Sequence, residues 1–171
     1  DKFTFTGAAA ASHDFYFVSF QRARMREKID PGNWELNLGS GSALLPAGHR
    51  GDAIRLIDDS STNTSPDVNE GGRVFNVVSG SVADGVAVAA TAQGPGAYGL
   101  FYPDLGLILL NPATLASASI VTLTSTNAND NNGQRFFNAI TSGSATAGTG
   151  KYFAARREEE ISSTSFFCRV N

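Results

Sequence analysis

Apolar and polar positions along this chain change places in short runs, and the runs are separated by turn residues. Residues 14–20, DFYFVSF, are apolar on both faces and predict a buried strand. WELNL at 34–38 places Trp34, Leu36 and Leu38 on one face, the pattern of a half-buried strand. AIRLID at 53–58 sets Ile54 and Leu56 against Arg55 and Ile57. The valines of RVFNVVSGS (73–81) and GVAVAATA (85–92) predict two more strands, and LFYPDLGLILLN (100–111) predicts a pair around Pro103-Asp104. Arg22, Arg24 and Arg26 alternate and are expected on one face of a strand.

The punctuation agrees with many short strands. In DPGN (30–33), Pro31 suits the second position of a turn and Gly32 the third, which predicts a type II turn. DSSTNTSPDVNEGG (59–72) is the most polar stretch and reads as a mobile surface loop. Helix signals are few. Asn111 before Pro112 is an N-cap with proline at the first helical position, predicting one or two turns over 112–118. Phe136, Phe137 and Ile140 fall at helical spacing and predict a second helix over 134–141. The fold class is therefore mainly β, a sandwich or barrel-like domain with one or two short helices. Phe15, Phe17, Val18, Leu36, Val77, Leu109, Phe137 and Phe167 are the expected core.

Composition sharpens this picture. The 171 residues suffice for one domain with a real core. Residues 1–14 read as an incoming linker or edge strand and 15–171 as a single mainly-β domain. The chain opens on Asp1 and closes in a strand-like pattern, as expected of a fragment of a longer protein. Charged residues are only 17%, and the formal net charge is −3, which gives no global attraction for nucleic acid. Lysine accounts for three of the thirteen cations, leaving ten arginines, and there are 12 phenylalanines. Protein interfaces favour both residue types, because guanidinium groups pair bidentately and stack, although genomic base composition gives the same bias. The single cysteine, Cys168, excludes an internal disulfide framework and sits in an apolar context that predicts a buried thiol. No apolar run approaches the ~18 residues of a membrane helix.

GPGAYG (94–99) fits the glycine spacing of a dinucleotide fingerprint, but that motif needs a helix to begin there, and strand residues follow. NANDNNG (127–133) resembles a calcium loop with its glycine one position late. His13, His49 and Cys168 lie too far apart for a metal cluster. Asp58-Asp59 and Asp67/Glu70 are carboxylate pairs that border loops and read as solvated turn residues. RREEE (156–160) reads as an ion-paired exposed face. Asn63-Thr64-Ser65 has the form of a glycosylation sequon, meaningful only in a secretory pathway. No catalytic, cofactor or metal site is expected.

Five phrases in fixed order carry a family resemblance: RARMREKIDPGNWELNL, GRVFNVVSGS, YGLFYPDLGLILLN, QRFFNAIT and RREEEISSTSFFCRVN. From Phe15 to Asn171 the chain resembles a domain of large tail or baseplate virion structural proteins of T4-like contractile-tailed phages that infect cyanobacteria. The resemblance implies a non-enzymatic structural protein acting through contacts with other tail and baseplate proteins. It implies residence in the virion after assembly in the host cytoplasm, within a symmetric multi-protein assembly, with no nucleic acid, no membrane insertion and no cofactor. No catalytic residues come with it. Arg22, Arg24, Arg26, Trp34, Arg156 and Arg157 are the candidate assembly interface. Two other readings stand beside it. One is a carbohydrate- or receptor-binding module of a tail fibre, using Trp34, Tyr98 and Tyr102 as its aromatic platform. The other is a tail-associated hydrolase.

Overall fold

A computed structural model describes residues 15–25, 27–38, 54–83, 86–89, 98–117, 136, 140, 152–156, 163–166 and 169. Its elements run β1 (Tyr16–Ser19), α1 (Arg22–Met25), β2 (Trp34–Leu38), β3 (Ile54–Asp58), β4 (Asp67–Asn69), β5 (Gly72–Ala83), β6 (Val86–Ala89), β7 (Gly99–Tyr102), β8 (Leu107–Leu110), α2 (Pro112–Ser117) and β9 (Tyr152–Ala155). The strands form a curled antiparallel half-barrel sheet in the order β1-β8-β7-β5-β3-β2-β9, with β4 and β6 also paired to β5. The mainly-β expectation holds.

The long strand β5 is the hub. Its first residues pair with β4, its middle with β7 and β3, and its last with β6. Alternation then sorts side chains into two faces. Trp34, Leu36, Leu38, Leu56, Phe75, Val77, Phe101, Ile108 and Leu110 fill the concave side, joined by Met25, Ile29, Leu115 and Phe136. Aromatic rings organise this core. Trp34 lies with its centroid 5.0 Å from Phe101 and 6.1 Å from Phe153, Phe20 lies 4.3 Å from Phe153, and Tyr16 stacks on Phe136 at 4.4 Å. Each such pair adds about 0.5–1.5 kcal/mol beyond the area it buries. The convex side carries a smaller apolar cluster of Val74, Leu100, Tyr102 and Leu109.

Two turns formed as their residues predict. Gly32 takes φ 77° and Asn33 N–H closes the DPGN turn on Asp30 O at 3.2 Å. Asn111 caps α2, its Oδ1 accepting from Ala113 N–H at 3.0 Å. Phe136 and Ile140 are both helical, Phe136 buried and Ile140 half-buried.

Four expectations are corrected. The arginine run is not a strand: residues 22–25 form α1, and Met25, not an arginine, is its buried residue. The strand read over 14–20 spans only Tyr16–Ser19, and its residues alternate between half-buried and exposed, so it is not buried on both faces. Tyr16 and Val18 face the core, while Phe15 is 41% and Phe17 62% exposed. The polar stretch 59–72 is not loop alone, because β4 within it pairs with the start of β5. Asp58 and Asp59 are not solvated turn residues, as described below. Val18 is half-buried, while Leu36, Val77 and Leu109 are buried as expected. Phe137 and Phe167 lie outside the described residues, as do residues 1–14, His13, His49, Cys168 and the 127–133 loop.

Candidate functional site

The surface that gathers the sequence candidates is built by β1 and α1. Antiparallel pairing sets Phe17 opposite Leu109 and Ser19 opposite Leu107. Phe15, Phe17 and Ser19 therefore share the convex face, and all three are exposed. Phe20 N–H then bonds Gly106 O at 2.9 Å, turning the chain from β1 into α1. Helix α1 buries Met25 beneath the β7–β8 turn and leaves Arg22 and Arg24 exposed. Arg22 Nη1 donates to Asp104 O at 3.4 Å. The Arg24 guanidinium makes no hydrogen bond or ion pair among the described residues. Leu105, on the same turn, is half exposed.

The other candidates separate. Trp34 is fully buried against Phe101 and Phe153, so it cannot belong to a surface interface. Its position on the inward face of β2, in a strand buried at all five residues, is the reason. Arg156 is exposed at the end of β9. Arg26 and Arg157 lie outside the described residues. The aromatic platform fails on the same ground as Trp34: Tyr98 and Tyr102 are only 3% and 6% exposed. Burial pushes the Tyr98 phenol above its ordinary pKa of 10.0.

The paired carboxylates at 58 and 59 are joints of the scaffold. Asp58 is fully buried and accepts from Gly32 N–H at 2.8 Å and Ser60 N–H at 3.0 Å, which fastens the DPGN turn to β3. Asp59 takes the backbone N–H and side-chain amide of Asn76 at 2.9 and 2.8 Å, fixing β3 to β5. Their oxygens are taken up by backbone donors and, at Asp59, by the Asn76 side-chain amide, so both carboxylates serve as acceptors that join turn and strands. Among the described residues, no group of three or more His, Cys, Asp or Glu could hold a metal ion. β7 begins at Gly99, so the glycines before it lead into a strand, not the helix that pyrophosphate binding requires.

A polar cleft of about 160 Å³ opens on the convex face, lined by Asn33, Trp34, Glu35, Arg55, Val82, Ala154 and Arg156. Glu35 is buried, and its Oε2 accepts from Val82 N–H at 2.8 Å. Arg156 N–H bonds Asn33 O at 2.7 Å, which pins the rim of the cleft. Sequence reasoning missed this cleft because Glu35, Arg55 and Val82 meet only through the pairing of β2 with β3 and of β3 with β5.

No protein-family model, curated protein or solved structure matches the chain.

Proposed function

We propose that this chain is a non-enzymatic structural module of a virion, built through protein–protein contacts into the tail or baseplate of a contractile-tailed bacteriophage. The five-phrase resemblance supplies the identity of the assembly. One observation carries the mode of action: Phe17 on β1 and Phe15 just before it stand 62% and 41% exposed, a few residues from exposed Arg22 and Arg24. Single exposed apolar residues are ordinary on a protein surface. Two exposed phenylalanines two residues apart, beside arginines, have the composition of an interface centre, where aromatic and arginine side chains dominate binding energy. The partner that fits is a tail protein with an apolar patch and acidic rim.

The test is Phe15→Ser with Phe17→Ser, and separately Arg22→Ala with Arg24→Ala, each read for melting temperature and for incorporation into particles. The expected result is a melting temperature close to the parent and lost incorporation. Normal incorporation of both variants would refute the reading. Steep, salt-dependent DNA binding by the parent chain, lost on removing the arginines, would replace it with a nucleic-acid surface.

A further inference from the structure

We infer that β9 is a docking edge for a second copy of this chain: two β9 strands pair antiparallel about a two-fold axis and join two half-barrels into one continuous sheet. The inference goes beyond the virion reading and uses residues apart from the β1–α1 surface.

The register of β9 on β2 shows which of its backbone groups are spare. Trp34 pairs with Ala155, Glu35 with Ala154, Leu36 with Phe153 and Asn37 with Tyr152. The next step of that register sets Asn33 opposite Arg156, and Arg156 N–H bonds Asn33 O at 2.7 Å. Hydrogen-bonded and non-hydrogen-bonded pairs alternate along an antiparallel ladder. Positions 152, 154 and 156 therefore bond to β2, and the N–H and C=O groups of Phe153 and Ala155 point away from it. β9 ends the strand order, and among the described residues Phe153 and Ala155 have no partner on that side. Ala154 and Ala155 are exposed, so solvent reaches the edge.

An open edge is a template for another strand, and proteins guard such edges with charge or proline. β4, whose pairing is with β5, is guarded: it carries Asp67 and lies between Pro66 and Glu70. β9, with the sequence YFAA, has neither charge nor proline.

The strand that fits this edge is β9 itself. With Ala154 on the two-fold axis, Phe153 of each copy lies opposite Ala155 of the other. These are the positions with spare groups, and each such pair exchanges both of its N–H···O bonds. The face that packs on the core then sets a large side chain against a small one across the junction, Phe153 against Ala155. On the opposite face alanine meets alanine at the axis. Arg156 of each copy falls opposite position 152 of the other, about 13 Å along the strand from the second Arg156. Sliding the strands by four residues would put the two arginines directly opposite, which like charges oppose. The contact is isologous and closed, the commonest symmetry of protein pairs. It is also short, so its affinity is weak, with a Kd of about 0.1–1 mM.

The experiment is sedimentation equilibrium of the 171-residue chain over a concentration series up to about 1 mM, with melting temperatures for every variant. A monomer–dimer equilibrium is expected. Ala155→Pro removes an N–H that β2 does not use, and should raise the Kd at least about tenfold with the melting temperature retained. Ala154→Lys sets like charges on the axis and should raise it at least about threefold, which serves as the test should the proline disturb folding. Register is read by oxidation in a Cys168→Ser background. Ala154→Cys should cross-link, since facing residues of a non-hydrogen-bonded pair lie about 4.5 Å apart at Cα, and Ala155→Cys should not, being displaced from its own copy beyond the roughly 7 Å limit. A chain that stays monomeric to about 1 mM would overturn the inference. So would a dimer unchanged by both Ala155→Pro and Ala154→Lys, or one lost instead on Phe15→Ser with Phe17→Ser, which would place the seam on β1. Equal cross-linking at 154 and 155 would overturn the register. Sedimentation reads the β9 edge and particle incorporation reads the β1–α1 surface, so each can fail without the other.

Discussion

Met25 occupies the space that a side chain on Gly106 would need: a Cβ built at Gly106 falls on Met25 Sδ. Gly106 also has φ 63°, where a side chain is strained. The β7–β8 turn and α1 are therefore locked by one glycine and one methionine. Gly106→Ala should destabilise the protein by about 2–5 kcal/mol, combining left-handed strain of about 1–2 kcal/mol with overpacking of about 1–3 kcal/mol. Met25→Ala should cost about 2–5 kcal/mol through its cavity. The double variant should lose less than the sum of the two, by about 0.5–3 kcal/mol, because the new methyl enters the space the methionine vacates. Urea unfolding of the four proteins checks this, and strict additivity would contradict the contact.

Asp58 gives a second test of the scaffold. It is fully buried and serves two backbone donors, on Gly32 and Ser60. Hydrogen bonds to a charged acceptor contribute about 1.5–3 kcal/mol each, and buried donors left without one carry a penalty. Asp58→Ala should therefore cost about 3–5 kcal/mol and detach the DPGN turn. Asp58→Asn keeps one oxygen acceptor and should lose roughly half as much. Denaturant midpoints measure both, and equal losses would show that the charge and second oxygen are idle.

Much of the scaffold was legible in the sequence, and where legibility stopped has physical reasons. β2 took the bounds its pattern predicts, with Trp34, Leu36 and Leu38 in the core, but it is not half-buried: Glu35 and Asn37 on its other face are buried too, which alternation alone does not show. α2 followed from the Asn111-Pro112 pair, a local signal that needs no tertiary context. α1 was illegible. Its four residues, RARM, alternate with period two just as a strand would, and what decides the helix is Met25 finding the gap above Gly106, 81 positions along the chain. Phe15 and Phe17 misled in the opposite direction. An apolar run predicts burial on both faces only for a strand covered on both, and β1 presents its convex side to solvent. The candidate site was half legible. Arg22, Arg24 and Arg156 are exposed as an interface needs, while Trp34 was claimed by the core.

The position of Phe17 reverses an expectation about energetics. A buried phenylalanine truncated to alanine costs about 3–5 kcal/mol. At 62% exposure, Phe17→Ala should cost less than about 1 kcal/mol, near the range of surface substitutions. Chemical denaturation compares it directly with Phe101→Ala, fully buried on β7, which should lose the full amount. A large loss at Phe17 would mean that its ring is covered, and the β1 surface would then be unfit for docking.

The last prediction concerns alkaline pH and Tyr98. Its phenol is 3% exposed, and its backbone is tied into the sheet on both sides: Tyr98 N–H bonds Val77 O at 2.7 Å and Asn111 N–H bonds Tyr98 O at 2.8 Å. Burial raises its folded-state pKa above the ordinary 10.0, since ionisation would place a phenolate in the core. The sign of the linkage follows. Below the unfolded pKa both states hold the proton and pH has no effect through this group. Above it, the unfolded chain releases the proton while the folded chain retains it, so stability falls as pH rises towards the folded pKa. Denaturation midpoints at pH 8, about 10 and about 11 should decline across the alkaline interval. Tyr98→Phe removes the ionisable group with little change of shape, and should flatten that part of the decline. An identical alkaline decline in the Tyr98→Phe variant would mean that other groups govern it and that the buried phenol plays no part.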